Sequence, residues 1–146
     1  MAAIGRRLLC TLAIAQLVFL LRAGESSAAL AQIDRVAESL SANNPAEAMA
    51  PFDKSYPDYE KLQNYFDGLT AAYQITSEAT VLDQDESPNT VKFTLQWTIT
   101  LTQTNTPLYK QRTDKIEAIL VQKQGKWRIV KFSPIEIFDP AIYHPN

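Results

Sequence analysis

The chain has 146 residues, of which 46% are hydrophobic and 21% charged, and its formal net charge is −2. This composition excludes a disordered tail and a collagen-like fibre, and the length suits one domain rather than two. A mildly acidic chain without a basic run also excludes ordinary nucleic-acid binding, because phosphate contacts need clustered Lys and Arg.

The amino terminus reads as an export signal. Arg6 and Arg7 form a positive start, and Leu8 to Leu21 is an apolar run interrupted mildly by Thr11 and Gln16. As a helix that run reaches ~21 Å, short of the roughly 30 Å hydrocarbon core of a bilayer. Arg22 closes it, and Ala29-Leu30-Ala31 supplies a small-residue cleavage site before Gln32. The expectation is therefore a signal peptide over 1–31, a single domain over 32–146, and an exported product, periplasmic or secreted, with no stable membrane span. An uncleaved anchor is the alternative, and Arg6-Arg7 matches a twin-arginine signal in part. The processed chain would carry 11 basic and 15 acidic residues, a charge of −4.

Helices come first. Ile33, Val36, Ala37 and Leu40 recur on one face, with Asp34, Arg35 and Glu38 on the other. Asn43-Asn44-Pro45 ends that helix and starts another, with Asn44 as N-cap and Pro45 in the first helical position, running to about Phe52. Ser55-Tyr56-Pro57-Asp58 opens a third helix, Ser55 and Asp58 standing at capping-box spacing. Tyr59, Leu62, Tyr65, Phe66 and Leu69 form its apolar stripe, and Gly68 is expected to stop it.

Strands follow. Ala72 to Leu82 is rich in β-formers, and Asp83 to Asn89 reads as a polar turn. In the next strand Val91, Phe93, Leu95, Trp97, Ile99 and Leu101 alternate with Lys92, Thr94, Gln96, Thr98, Thr100 and Thr102, a pattern that a helix cannot use. Tyr109 to Lys123 is a third strand whose pattern shifts phase near Ile116, predicting a bulge or strong twist there. Gln124-Gly125-Lys126 turns into a fourth strand, Trp127 to Ser133, and Ile135, Ile137 and Phe138 form an apolar tail that docks on the core. Extended, Thr90 to Gln103 would span ~47 Å against a radius of gyration of ~13 Å for a domain this size. The sheet must curl. The expected fold class is α+β, with amino-terminal helices packed on a curled antiparallel sheet that makes a cone.

The inventory excludes most familiar active sites. Cys10 falls within the signal, so the processed chain has no cysteine, disulfide or thiolate. His144 stands near the end of the chain, where neither a metal nor a hydrolase triad is well served, and Gly68 and Gly125 cannot build a phosphate loop. No catalytic residue, metal site or cofactor is assigned.

Helices followed by a curled four-stranded meander, with a last hairpin reading Gly125-Lys126-Trp127-Arg128-Ile129-Val130, resemble the nuclear transport factor 2-like superfamily, which includes SnoaL-like proteins and shares a cystatin-like cone. Leu40-Ser41-Ala42-Asn43-Asn44-Pro45, Pro57-Asp58-Tyr59 and Pro134-Ile135-Glu136-Ile137-Phe138 look most like its exported bacterial members, and the resemblance covers roughly Gln32 to Pro140. The small hairpin that many members place between the second and third helices has no counterpart. The resemblance implies either an isomerase- or dehydratase-type enzyme with acid–base residues inside the cone, or a non-catalytic binding or assembly domain; fold alone does not choose. The residues it makes candidates for a ligand site are Asp67 near the cone mouth, Tyr65 and Tyr73 as hydrogen-bond donors, and Trp97 on the inward face. In the plainer reading Asp67 is solvated and the aromatic residues are packing.

Three functions follow. The leading one is non-catalytic binding of a small apolar ligand or a protein partner. A cofactor-independent isomerase or dehydratase using Asp67 and Tyr65 is second, and a structural dimerisation module is third. A spacious cone with Asp67 turned inward favours the enzyme; a filled cone favours the interaction domain. The nearly uncharged stripe Thr94, Gln96, Thr98, Thr100 and Thr102 is the expected homodimer face.

Overall fold

The computed structural model describes residues 26–143. Arg6-Arg7, Leu8–Leu21, Cys10 and His144 lie outside the described residues. Helix α1 covers 26–41 and runs without a break through Ala29-Leu30-Ala31. Its apolar stripe is the expected one, lengthened by a turn: Ala29, Ile33, Val36, Ala37 and Leu40 are all buried. Helix α2 (Pro45–Met49) has Asn44 as its N-cap, the Asn44 side-chain oxygen accepting from the Glu47 N–H at 3.2 Å. Helix α3 is Tyr59–Ala72 and buries Leu62, Phe66 and Leu69, with Tyr59 and Tyr65 packed against the core from its edge.

Two expectations about α3 fail locally. No capping box forms: the Ser55 N–H and hydroxyl both donate to Asp53 Oδ1, and Asp58 makes no side-chain cap. The helix begins at Tyr59 with Asp58 itself at the N-cap, so Ser55 and Asp58 do not occupy the N-cap and N3 positions that the box requires. Gly68 does not stop the helix, which continues to Ala72. A Cβ at Gly68 would lie 2.7 Å from Pro140 Cγ, so the glycine lets the carboxy-terminal segment approach the helix.

The sheet is an antiparallel meander in the order β1 (Gln74–Ser87), β2 (Thr90–Thr102), β3 (Tyr109–Lys123), β4 (Lys126–Ser133). The expected polar turn shrinks to Pro88-Asn89, because β1 absorbs the acidic residues 83–87 by pairing them with β2 after a bulge at Leu82. Asn89 supports the turn with a φ of 59°. The phase break expected near Ile116 is absent. Lys110, Arg112 and Asp114 stand opposite Leu101, Ile99 and Trp97, on the same face as Ile116, so the inner face of β3 changes from polar to apolar without slipping. The irregularity sits on β4 instead, where Ile119 pairs with Lys131 and Leu120 with Ile129, leaving Val130 unpaired.

All six alternating residues of β2 face the core, at 2% exposure or less. Helices and the inner sheet face share that core with the carboxy-terminal tail, whose Ile135, Ile137 and Phe138 are buried as expected. Each sheet edge is met over a short stretch by another part of the chain. On β4, the Asp53 N–H donates to the Ile129 carbonyl and the Ile129 N–H to the Pro51 carbonyl, each at 2.9 Å. On β1, the Ile75 and Ser77 N–H groups donate to Asn43 Oδ1 and Ser41 Oγ. Side chains thereby block the start of an edge that would otherwise recruit another strand.

Candidate functional site

Aromatic rings fill the middle of the inner sheet face. Trp97 lies edge-on to Phe132 at 5.5 Å and to Phe138 at 5.6 Å between ring centroids. Phe138 meets Phe66 at 5.2 Å, and Phe132 meets Phe52 at 5.2 Å. Edge-to-face pairs of this kind add about 0.5–1.5 kcal/mol each beyond area burial. The one polar atom of Trp97 is matched: Nε1 donates to Ser77 Oγ at 2.8 Å, and Ser77 is held by Ser41.

The candidate residues inferred from the sequence do not converge. Trp97 is fully buried in this cluster. Tyr73 is also buried, at the C-cap of α3, where its N–H donates to the Leu69 carbonyl. Tyr65 is half-buried with Lys61 Nζ 5.7 Å from its ring centre, and Asp67 is exposed on α3. Trp97 and Tyr73 are packing residues in this geometry, and Asp67 is solvated. A hollow of about 460 Å³ lies beside the start of α3, lined by Lys54, Tyr56, Pro57, Tyr59, Glu60 and Gln63, and contains none of the four.

Two buried phenols respond to pH. Tyr56 donates its hydroxyl to the Phe132 carbonyl and Tyr143 to the Ile137 carbonyl, both at 2.5 Å. Burial raises both above the ordinary tyrosine range; Tyr143 reaches about 12, although the Arg112 guanidinium near its ring pulls it down. An acid whose folded pKa lies above its unfolded value, about 10, stabilises fully below pH ~10 and loses that contribution as pH climbs through the folded value. The urea midpoint should stay level from pH 7 to 9 and fall above about pH 10. Tyr56→Phe with Tyr143→Phe should be less stable at pH 8, yet show a shallower alkaline fall. An equal slope in both proteins would assign the alkaline transition to other groups.

The outer face of the sheet has a different character. Thr98 is bonded through its hydroxyl to Thr113 at 2.9 Å, and Gln111 Nε2 donates to Thr100 Oγ1 at 3.0 Å. Thr76 stands across from Thr100 on β1, so the uncharged stretch spans three strands at that level, bordered by Glu78 across from Thr98 and Lys115 across from Gln96. Toward the β2–β3 turn it runs into Tyr109, paired with Thr102 and 65% exposed, next to Leu108 at 77%. A charged cluster stands at the other end, where Lys92 lies 2.7 Å from Glu117 and Lys131 lies 4.0 Å from the same carboxylate. Glu117 is held below the usual carboxylate range, first by the Lys92 hydrogen bond. The stripe on β2 was visible in the sequence. Thr76, Gln111 and Thr113 were not, because their membership depends on strand register. The signal for Leu108 and Tyr109 was an apolar pair directly after the turn residues Thr106-Pro107.

Comparison with known proteins shows the fold. No family model matches the chain, and no curated protein matches it in sequence. Among solved structures it is similar to a conserved protein from Planctomyces limnophilus, with a TM-score of 0.69 and 11% identity over 76% of this chain and 94% of that one. A candidate scytalone dehydratase from Novosphingobium aromaticivorans aligns with a TM-score of 0.66 and 13% identity, covering 76% of this chain and 83% of its own. A nuclear transport factor 2-like superfamily protein from Salmonella enterica aligns with a TM-score of 0.57 and 12% identity, covering 75% and 92%. Helices followed by a curled meander in the order β1-β2-β3-β4 are common ground, and the chain has the nuclear transport factor 2-like fold.

Proposed function

We propose that this chain is an exported, non-catalytic interaction domain that pairs with a second copy of itself through the outer face of β1, β2 and β3. The observation that carries the reading is the threonine and glutamine ladder running from Thr98–Thr113 to Thr100–Gln111 and ending in exposed Tyr109 and Leu108. Hydroxyl and amide groups that already bond one another can be covered at little desolvation cost, whereas an unpaired charge cannot, which favours a seam toward Thr100, Gln111 and Tyr109 and away from Glu78 and Lys115. An aromatic and a leucine beside them supply the apolar area that association needs. The inner face offers less, since its centre is packed with Trp97, Phe132 and Phe138. Export rests on the amino-terminal sequence. Processing before Gln32 would remove Ala29 from the core and leave Ile33, Val36, Ala37 and Leu40 in place.

Light scattering at tens of micromolar tests the pairing. Wild type should be a dimer. Thr98→Lys with Thr100→Lys should be a monomer with an unchanged circular dichroism spectrum, because in an isologous contact each new charge meets its own copy nearby. A monomeric wild type, or a double variant that still dimerises, would place the function elsewhere. Intact mass of the protein recovered from a bacterial envelope fraction tests export: the expected chain begins at Gln32, and a full-length cytosolic chain contradicts it.

A further inference from the structure

A second hollow, of about 470 Å³, lies between α1 and the β3–β4 hairpin, with Gln32, Arg35, Ala50, Lys126, Trp127 and Arg128 around it. We propose that it binds a small oxyanion, a phosphate or carboxylate, carried on an apolar or aromatic body, with Arg128 and Lys126 as the charged contacts. This does not depend on pairing through the outer sheet face, which is formed by other residues.

The argument begins with charge. Among the described residues Arg35 is paired with Glu47 at 2.7 Å, Lys123 with Asp53 at 3.3 Å, and Lys92 and Lys131 with Glu117. Neither Lys126 nor Arg128 has a carboxylate within 4.0 Å among those residues. Among the described residues two cations thus stand together without a carboxylate counter-charge, in a chain whose acidic residues outnumber its basic ones. Arg128 is also half-buried, which makes an uncompensated charge more costly than at an open surface.

Geometry supplies the rest. Arg128 Nη1 donates to the Ala50 carbonyl at 3.0 Å, a bond that spans 78 residues of sequence and fixes the guanidinium. A guanidinium has five N–H donors in a planar fork, so one bond to a carbonyl leaves others for a bidentate oxyanion. Arg35 is neutralised by Glu47, so in the full-length chain the described residues give the hollow two free charges and not three, which suits one phosphate or carboxylate group. Trp127, 7% exposed, gives an apolar wall for the body of the ligand, and Gln32 adds an amide able to donate or accept. The volume lies within the roughly 300–1,000 Å³ of small-molecule sites.

The probes are phenyl phosphate and benzoate, with benzyl alcohol as the neutral counterpart, titrated into the full chain at physiological ionic strength. The chain has two tryptophans, and Trp127 lines the hollow whereas Trp97 is fully buried outside it, so a change in tryptophan emission on titration reports on Trp127 over a constant Trp97 background. Saturable binding of at least one anion, tighter than benzyl alcohol, is expected, and the order of the two anions identifies the headgroup class. Lys126→Gln and Arg128→Gln should each weaken it about tenfold. Lys126 is an exposed hairpin residue, so its variant tests the site even if Arg128→Gln perturbs folding. Lys131→Gln, on the outer face, should bind as wild type does. No saturable response at millimolar anion, equal binding of benzyl alcohol, or unchanged affinity in Lys126→Gln would overturn the proposal.

Discussion

Trp97→Ala is expected to cost about 3–5 kcal/mol of folding stability, the range for large aromatic truncations in a packed core. The indole is fully buried and touches Phe132 and Phe138, so its removal leaves a void that two rings must collapse into. It also strips Ser77 Oγ, at a residue 6% exposed, of its donor. Trp97→Phe separates the two effects: most of the volume stays and the indole N–H goes, for an expected loss of about 1–2 kcal/mol. Thr98→Ala, the adjacent residue on the opposite face, loses one hydroxyl bond to Thr113 and should cost less than about 1 kcal/mol in the monomer. Urea midpoints for the three variants decide the matter, with Thr98→Ala measured below the dimerisation range. Equal losses for Trp97→Ala and Thr98→Ala would mean that the two faces of β2 have been exchanged.

The contrast on β2 also shows what a sequence can reveal about this fold. Strict alternation over Val91–Leu101 is a local property of one strand, so the pattern alone identified the core face. The α1 stripe and the Asn44 cap were legible for the same reason, since their partners lie within one or two turns. Failures occurred where a distant residue decided the outcome. Gly68 has a helix-stop identity, yet Pro140, 72 positions later, explains why glycine stands there. Lys110, Arg112 and Asp114 looked like a phase break in β3, but the carboxy-terminal segment meets that part of the sheet, and Arg112 lies 5.9 Å from the centre of the Tyr143 ring. Asp83 to Ser87 have turn-like composition and become strand because β2 pairs with them. The candidate site was less legible still. Trp97 and Tyr73 were candidates for ligand contact and are buried, but a sequence does not say whether rings surround a space or fill it. Arg128 and Lys126 sat inside the hairpin motif without standing out, because their lack of carboxylate neighbours exists only in three dimensions.

Asn43 is where three such distant pieces meet, and Asn43→Ala should cost about 2–4 kcal/mol. Its Nδ2 donates to the Thr70 carbonyl at 3.1 Å and the Tyr73 carbonyl at 2.8 Å, while its Oδ1 accepts from the Ile75 N–H at 3.3 Å. One amide therefore joins the residues after α1 to the end of α3 and the start of β1. Its φ is 54°, the left-handed region that Asn tolerates and Ala resists by roughly 1–2 kcal/mol. Asn43→Gly restores the backbone freedom and still loses the bonds, so it should fall between wild type and Asn43→Ala. The two substitutions split the total into a conformational part and a hydrogen-bonding part. Hydrogen exchange gives an independent reading of the second part. In Asn43→Gly the Ile75 amide should exchange faster, whereas the Ser77 amide, held by Ser41 Oγ at 2.9 Å, should stay protected. A glycine variant as stable as wild type, with Ile75 still protected, would show that the bonds contribute nothing and that the left-handed turn alone selects asparagine.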